Sequence, residues 1–270
     1  MFASTPGRAC LAALLLVAAA ACSRTPTGPS PVVPAAPLGA LHVEPPPVPP
    51  RVAPTPPTAL GATRFLAFGD SITAGVLSSF DGMFLYDGST QSYPTRLQLG
   101  LNNYHAPQTF TVINRGIPGE WAQDGARRIQ TELSNYRPQG LLLLEGINDL
   151  NNSRSISSTV SALGRILDTA ALFQVTVIIS TMPQTYESTD PNGNVRDNSH
   201  TEITAFNDAV RQVAAGRSNV FVVDMYAAFG SNRGLIGGDG LHPNEQGYEV
   251  MATTFLQALE SAWAVRGSFQ

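Results

Sequence analysis

A serine, a histidine and an aspartate carry the chemistry this sequence can offer. Ser71 lies in Phe68-Gly69-Asp70-Ser71-Ile72-Thr73, and Asp239 and His242 share Asp239-Gly240-Leu241-His242-Pro243. An aspartate three residues before a histidine can share a turn with it, hold its tautomer and stabilise its charged form. A serine hydroxyl within reach of that imidazole is activated as a nucleophile. Two further stretches hold groups suited to an oxyanion. Glu145-Gly146-Ile147-Asn148-Asp149 offers the Asn148 side-chain amide, with Asp149 placed to orient it. Asn114-Arg115-Gly116-Ile117-Pro118-Gly119 offers a glycine whose backbone N–H can approach a substrate closely. Each stretch alone also has a plain structural reading. Gly-Asp-Ser suits a helix N-cap, Asp-x-x-His suits a polar turn, and the other two suit ordinary strand-end turns.

Composition removes several rival chemistries. All sixteen basic residues are arginines, so Schiff-base chemistry and lysine general bases are excluded. Cys10 and Cys22 are the two cysteines, so beyond residue 22 there is no disulfide, thiol nucleophile or thiolate metal site. Of the four histidines, His242 alone has an aspartate at this spacing in a glycine-rich turn. His42 falls among prolines, His105 in a loop after Asn102-Asn103, and His200 before a helix, where it reads as a surface residue. No His-Glu-x-x-His stretch occurs, and four scattered histidines are too few for a metal phosphoesterase centre. No metal and no cofactor are expected. The net charge is −4, with no basic face for nucleic acid.

The motifs need elements to position them. Strands are expected at Arg64–Phe68, Thr109–Ile113, Leu141–Leu144, Val175–Thr181 and Val220–Asp224. Helices are expected at Pro94–Leu101, Glu120–Asn135, Ile156–Leu172, Thr201–Ala215 and Asn244–Ala264. Continuous apolar strands alternating with amphipathic helices predict a five-stranded parallel sheet covered on both faces, in a doubly wound three-layer α/β domain. Ligands of such sheets bind at the carboxyl ends of the strands, and there the four motifs fall.

In that order and setting the four motifs resemble those of the SGNH, or GDSL, hydrolase family across nearly all of residues 64–264. The resemblance implies a flavodoxin-like sheet, an ester hydrolase of esterase or lipase type, and a nucleophile at Ser71. It implies that Asp239 and His242 complete a triad. It assigns the oxyanion to the Ser71 and Gly119 backbone amides and the Asn148 side chain, with Gly119 and not Gly116 as the donor of the second block. The Gly-x-Ser-x-Gly elbow of the larger α/β-hydrolases is absent around Ser71. Short-chain esters, acetylated polysaccharides, lysophospholipids and thioesters all suit the family. A carbohydrate O-acetylesterase is thus the alternative within the enzyme class, and a catalytically idle binding protein of the same fold is the alternative outside it.

Two loops are placed to set specificity. Leu77–Ser92 carries Phe80, Met83, Phe84, Leu85 and Tyr86, which either line an acyl pocket or cover the core edge. Gln184–Ser199 is polar and reads as a surface loop that contacts a sugar or moves freely. Trp121, just after the second block, is a further substrate-lining candidate beside Phe84 and Tyr86.

The first sixty residues read as delivery rather than catalysis. Arg8 precedes an apolar run from Leu11 to Ala21, shorter than the roughly 20 residues a spanning helix needs. The run ends in Ala19-Ala20-Ala21-Cys22, which resembles a bacterial lipobox with alanine in the usual leucine position. Residues 1–22 are therefore read as an export signal and Cys22 as the lipidation site. Cleavage at a small-residue site, with Cys22 incidental, is the alternative. Residues 23–60 read as an extended proline-rich tether, since 13 of the 21 prolines lie between 24 and 60. Residues 61–270 read as the catalytic domain of an exported, membrane-anchored protein facing the periplasm or cell exterior.

Overall fold

The run Leu141-Leu142-Leu143-Leu144 has no polar position, and a strand of that kind must be covered on both faces. The computed structural model describes residues 59–264, apart from 79–83, 87–89, 190–191 and 199. Chain contacts divide the protein into residues 1–53 and 54–270. The first unit lies outside the described residues, as do the expected export signal, Cys22, His42 and nearly all of the proline-rich tether.

The domain begins with β1 (Arg64–Gly69), the short helix α1 (Ser71–Ala74), a ribbon of β2 (Val76–Ser78) and β3 (Phe84–Tyr86), and α2 (Tyr93–Tyr104). There follow β4 (Thr111–Gly116), α3 (Ala122–Tyr136), β5 (Gly140–Leu144), α4 (Ile147–Asn151), α5 (Ile156–Leu172) and β6 (Thr176–Ser180). A second ribbon, β7 (Glu187–Thr189) and β8 (Val195–Asp197), precedes α6 (Ile203–Ala214). The chain closes with β9 (Val220–Val223), α7 (Met225–Phe229), a 3-10 turn at Arg233–Leu235 and α8 (Glu245–Trp263).

Five strands form the main sheet in the order β4-β1-β5-β6-β9, all parallel. β5 lies at its centre and is buried throughout. Helices α2 and α8 pack together on one face, and α3, α5 and α6 pack in series on the other. This is the expected three-layer doubly wound architecture. The chain runs from β1 outward to β4, then returns past β1 to β5. The strand order reverses there, and doubly wound sheets bind their ligands at such a reversal.

Burial follows the pattern of the strands. Phe65, Leu66, Phe68 and Leu141 to Leu144 are fully buried, with Tyr93 and Phe255 stacked at 4.9 Å beneath α2 and α8. At roughly 1.5–3 kcal/mol for each large apolar side chain, this layer is the main source of stability. The expectation of full cover fails at β9. Phe221 and Val222 are 44% and 40% exposed, because β9 is an edge strand and has a neighbour on one side alone.

Candidate active site

Ser71 owes its position to the end of β1. The strand stops at Gly69, and Asp70 caps α1 by accepting the Ile72 N–H at 2.9 Å. Ser71 thus becomes the first residue of a helical turn, and its hydroxyl lies at the carboxyl edge of the sheet. The last loop arrives at the same place. Asn244 caps α8 by accepting the Gly247 N–H, which ends the turn that carries His242.

The structure brings Ser71, His242 and Asp239 into one hydrogen-bonded chain. His242 Nε2 is 2.8 Å from Ser71 Oγ, and His242 Nδ1 is 2.5 Å from Asp239 Oδ2. A carboxylate can accept and not donate, so Nδ1 carries the proton and Nε2 accepts from the serine hydroxyl. All three residues are buried, Ser71 retaining 6% exposure. Burial raises the Asp239 carboxyl, but hydrogen bonds from His242 and from the Leu241 and His242 N–H groups outweigh it. Asp239 is therefore held below the usual aspartate range and stays ionised beside the imidazole.

Three partners of Asp239 have no signal in the sequence. Ser78 Oγ, at the end of β2, donates to Asp239 Oδ1 at 2.9 Å and accepts the Asp239 N–H at 3.1 Å. Ser188 Oγ and Asn198 Nδ2 donate to the Asp239 carbonyl at 2.8 and 2.7 Å. The Tyr186 N–H donates to the Gly240 carbonyl at 2.8 Å. Both loops expected to meet substrate, Leu77–Ser92 and Gln184–Ser199, are thus partly committed to holding the Asp239 turn. Each contains a two-stranded ribbon where a loop was expected. Phe84 and Tyr86 lie in β3, and their side chains, like Phe80 and Met83, are outside the described residues.

The second block divides between strand and loop. Asn114, Arg115 and Gly116 are the last residues of β4, not part of a loop as expected. The Gly116 N–H is taken by Asn114 Oδ1 at 3.0 Å, and a Cβ there would lie 2.1 Å from the Ala74 nitrogen. Gly116 is a packing residue that lets β4 and α1 touch. Gly119 differs on both counts. Its φ is +79°, which favours glycine, and a Cβ there would meet nothing within 4 Å. It therefore borders open space at the strand ends. The Ile117 N–H bonds the Gly69 carbonyl at 2.9 Å and ties this loop to the start of α1.

Asn148 lies in the first turn of α4, and its Nδ2 donates to the Glu120 carbonyl at 2.9 Å. One amide hydrogen thus fixes the side chain against the loop that holds Gly119. The expectation that Asp149 orients Asn148 is corrected. Asp149 Oδ2 instead accepts the Ala122 N–H at 2.9 Å and so caps α3 from across the site. Glu120 is itself held by paired hydrogen bonds from Arg128, whose guanidinium lies 3.7 Å above the Phe68 ring. Trp121 is half-buried next in the chain, with the Arg154 guanidinium 3.7 Å from its ring centroid.

The other two described histidines are placed elsewhere. His105 caps the end of α2, is buried, and lies 3.1 Å from Glu260. His200 is not the open surface residue expected. Its side chain is 10% exposed, and its Nε2 lies 2.5 Å from Asn151 Oδ1.

Two carboxyls lie under the site without a place in that chain. Asp70 and Glu145 follow Gly69 and Leu144, which are paired across β1 and β5, and both are buried. Burial first, then the charges of Glu120 and Asp149, pushes Asp70 up to about 7 against the lowering effects of the Ile72 N–H and His242. Burial and the neighbouring acids also push Glu145 well above the usual glutamate range.

Residues 67–250 match the GDSL-like lipase/acylhydrolase family. A multidomain esterase of Ruminococcus flavefaciens is 25% identical over 245 residues, 77% of this chain and 30% of that protein. The chain therefore spans less than a third of that relative. Among solved structures, the aryl esterase of M. smegmatis is similar with a TM-score of 0.63 at 16% identity, over 74% of this chain and 99% of that one. The lipase/acylhydrolase of Enterococcus faecalis gives 0.60 at 22% identity, over 76% and 100%. Est24, a carbohydrate acetylesterase from Sinorhizobium meliloti, gives 0.62 at 14% identity, over 74% and 100%. These structures share the fold, with its five-stranded parallel sheet between helices. With the matched segment covering most of the chain and all four motifs, the protein belongs to the GDSL-like lipase/acylhydrolase family.

Proposed function

We propose that this protein hydrolyses carboxylic esters through an acyl-enzyme on Ser71. The observation that carries the reading is the unbroken chain from Asp239 Oδ2 through His242 to Ser71 Oγ at the strand-order reversal. Ser71 Oγ attacks the ester carbonyl as its proton passes to His242 Nε2. The oxyanion accepts from the Ser71 and Gly119 N–H groups and the free amide hydrogen of Asn148. Collapse of the tetrahedral species breaks the bond to the alcohol, which leaves with the proton from His242. Water then attacks the acyl-serine with His242 as base, and the acid departs as Ser71 regains its proton. Asp239, ionised throughout, holds the imidazole tautomer and stabilises its charged form.

Support for an enzyme over an idle binding protein comes from the supporting hydrogen bonds. Ser78, Ser188 and Asn198 fix Asp239 in place, a geometry that binding alone does not require. Ser71→Ala should abolish turnover of a model ester, and Asn148→Ala should lower kcat by roughly 10²–10³-fold with a smaller change in KM. Wild-type turnover by Ser71→Ala would overturn the reading. A change confined to KM in Asn148→Ala would make Asn148 a substrate-binding residue instead.

The reading extends to location. Arg8, the apolar run Leu11–Ala21 and Cys22 support export and lipidation. The proline-rich residues up to 60 support a spacer between membrane and enzyme. The substrate is then an ester of the cell envelope or its surroundings, carried by a small molecule, a glycan or a lipid.

A further inference from the structure

One exposed guanidinium lies over an indole ring at the start of α3, next in the chain to the residue whose carbonyl holds Asn148. Arg154 follows α4 and is exposed, and its Cζ lies 3.7 Å from the centroid of the half-buried Trp121 ring. Its backbone N–H bonds the Asp149 carbonyl at 2.9 Å, and the preceding Ser153 has a φ of +54°, an uncommon conformation that sets the direction of the turn. Both halves of the stack are anchored to the candidate active site. Trp121 follows Glu120, whose carbonyl holds Asn148, and Arg154 belongs to the turn that follows Asn148 and Asp149.

The nearby charges are otherwise engaged. Arg128 is paired with Glu120, and Arg115 with Glu132. The Asp149 carboxylate takes the Ala122 N–H and is bonded by the Thr159 side chain, and the Arg154 charge favours its ionised form without a direct ion pair. Arg154 forms no ion pair among the described residues. Stacking on an indole uses the face of a guanidinium and leaves its in-plane N–H donors for a second partner. Those donors match the planar fork of a carboxylate or the oxygens of a phosphate. Arg154 itself is exposed, and in the loop that leads to Trp121 a Cβ on Gly119 would meet nothing within 4 Å and Ile117 is 42% exposed.

We propose that Arg154, held on Trp121, is an anion subsite that selects esters carrying a carboxylate or similar planar anion close to the scissile bond. The inference rests on the proposed hydrolysis at Ser71 and adds a substrate class to it. The anion can belong to the acyl group or to the leaving alcohol, and the test separates the two. Phenyl acetate is the neutral ester, 4-acetoxybenzoate carries the anion on the leaving side, and monophenyl succinate carries it on the acyl side.

For each ester, kcat/KM of Arg154→Gln is divided by that of the wild type in the full-length protein. The expected result is a ratio at least about 10-fold lower for one anionic ester than for phenyl acetate, the scale of a lost charge-assisted hydrogen bond. Arg154→Lys, which keeps the charge without the fork, should recover part of that loss. A deficit confined to 4-acetoxybenzoate puts the anion on the alcohol, and one confined to monophenyl succinate puts it on the acyl group. Equal ratios for all three esters would overturn the subsite. Phenyl acetate turnover that survives Ser71→Ala would instead overturn the reading on which it rests, so the two failures are distinct.

Discussion

Asp70 stands beside the nucleophile candidate and has no contact with solvent. One of its oxygens caps α1, and the other is buried among acids. With its carboxyl raised from 3.8 to about 7, the folded protein holds this proton more tightly than the unfolded chain does. Its contribution to stability is therefore complete below about pH 4 and is lost as pH rises through about 7. Asp70→Asn keeps an oxygen for the Ile72 N–H and carries no charge. Thermal melts should show it more stable than the wild type at about pH 8, by up to about 4 kcal/mol, and no more stable at about pH 4. Equal stabilities at both pH values would show that Asp70 is not a buried carboxylate of this kind. Ser71, Asp239 and His242, which the structure joins, were legible through the order of the four motifs taken together, since each motif alone also reads as a cap or a turn. The partners of the motif residues were not. The bond from Asn148 to the Glu120 carbonyl joins positions 28 apart, and nothing local in either segment announces it.

The elements set how firmly the Asp239 turn is held. Ser78 at the end of β2 is 161 positions from Asp239, yet it both donates to the carboxylate and accepts the backbone N–H. Ser78→Ala removes a donor from a buried charge and leaves a buried N–H without its acceptor. A loss of about 1–3 kcal/mol in denaturant unfolding is expected. A fall of roughly tenfold in kcat should accompany it as the imidazole loses its fixed partner. Full kcat in a folded Ser78→Ala protein would mean that Ser188, Asn198 and the backbone suffice. The main strands were readable because apolar runs bounded by turn residues leave few alternatives. The ribbons β2–β3 and β7–β8 were not, since three-residue strands in polar or glycine-containing stretches show no sustained alternation. The exposed face of β9 was hidden for another reason. Val220-Phe221-Val222-Val223 reads as a buried strand, and its edge position is a property of the sheet order.

At the scale of the whole molecule, the order β4-β1-β5 explains why the segments that carry residues 71, 119 and 148 leave the ends of neighbouring strands. That order was legible in class, since alternating strands and helices imply a parallel sheet, and the family resemblance supplied the flavodoxin-like form. The proposed anchor makes a separate prediction. Cys22→Ser should move the protein from the membrane fraction to the soluble exported fraction and abolish incorporation of labelled palmitate, with activity per molecule unchanged. Palmitate incorporation that persists in Cys22→Ser would contradict lipidation at that residue. The central claim concerns Ser71, and covalent labelling of the intact chain tests it most directly. A fluorophosphonate that mimics the tetrahedral species should modify one residue per chain, mapped by peptide mass spectrometry to Ser71, with activity lost in proportion. Modification of a different serine with activity lost in step, or full activity in a chain labelled at Ser71, would contradict the account.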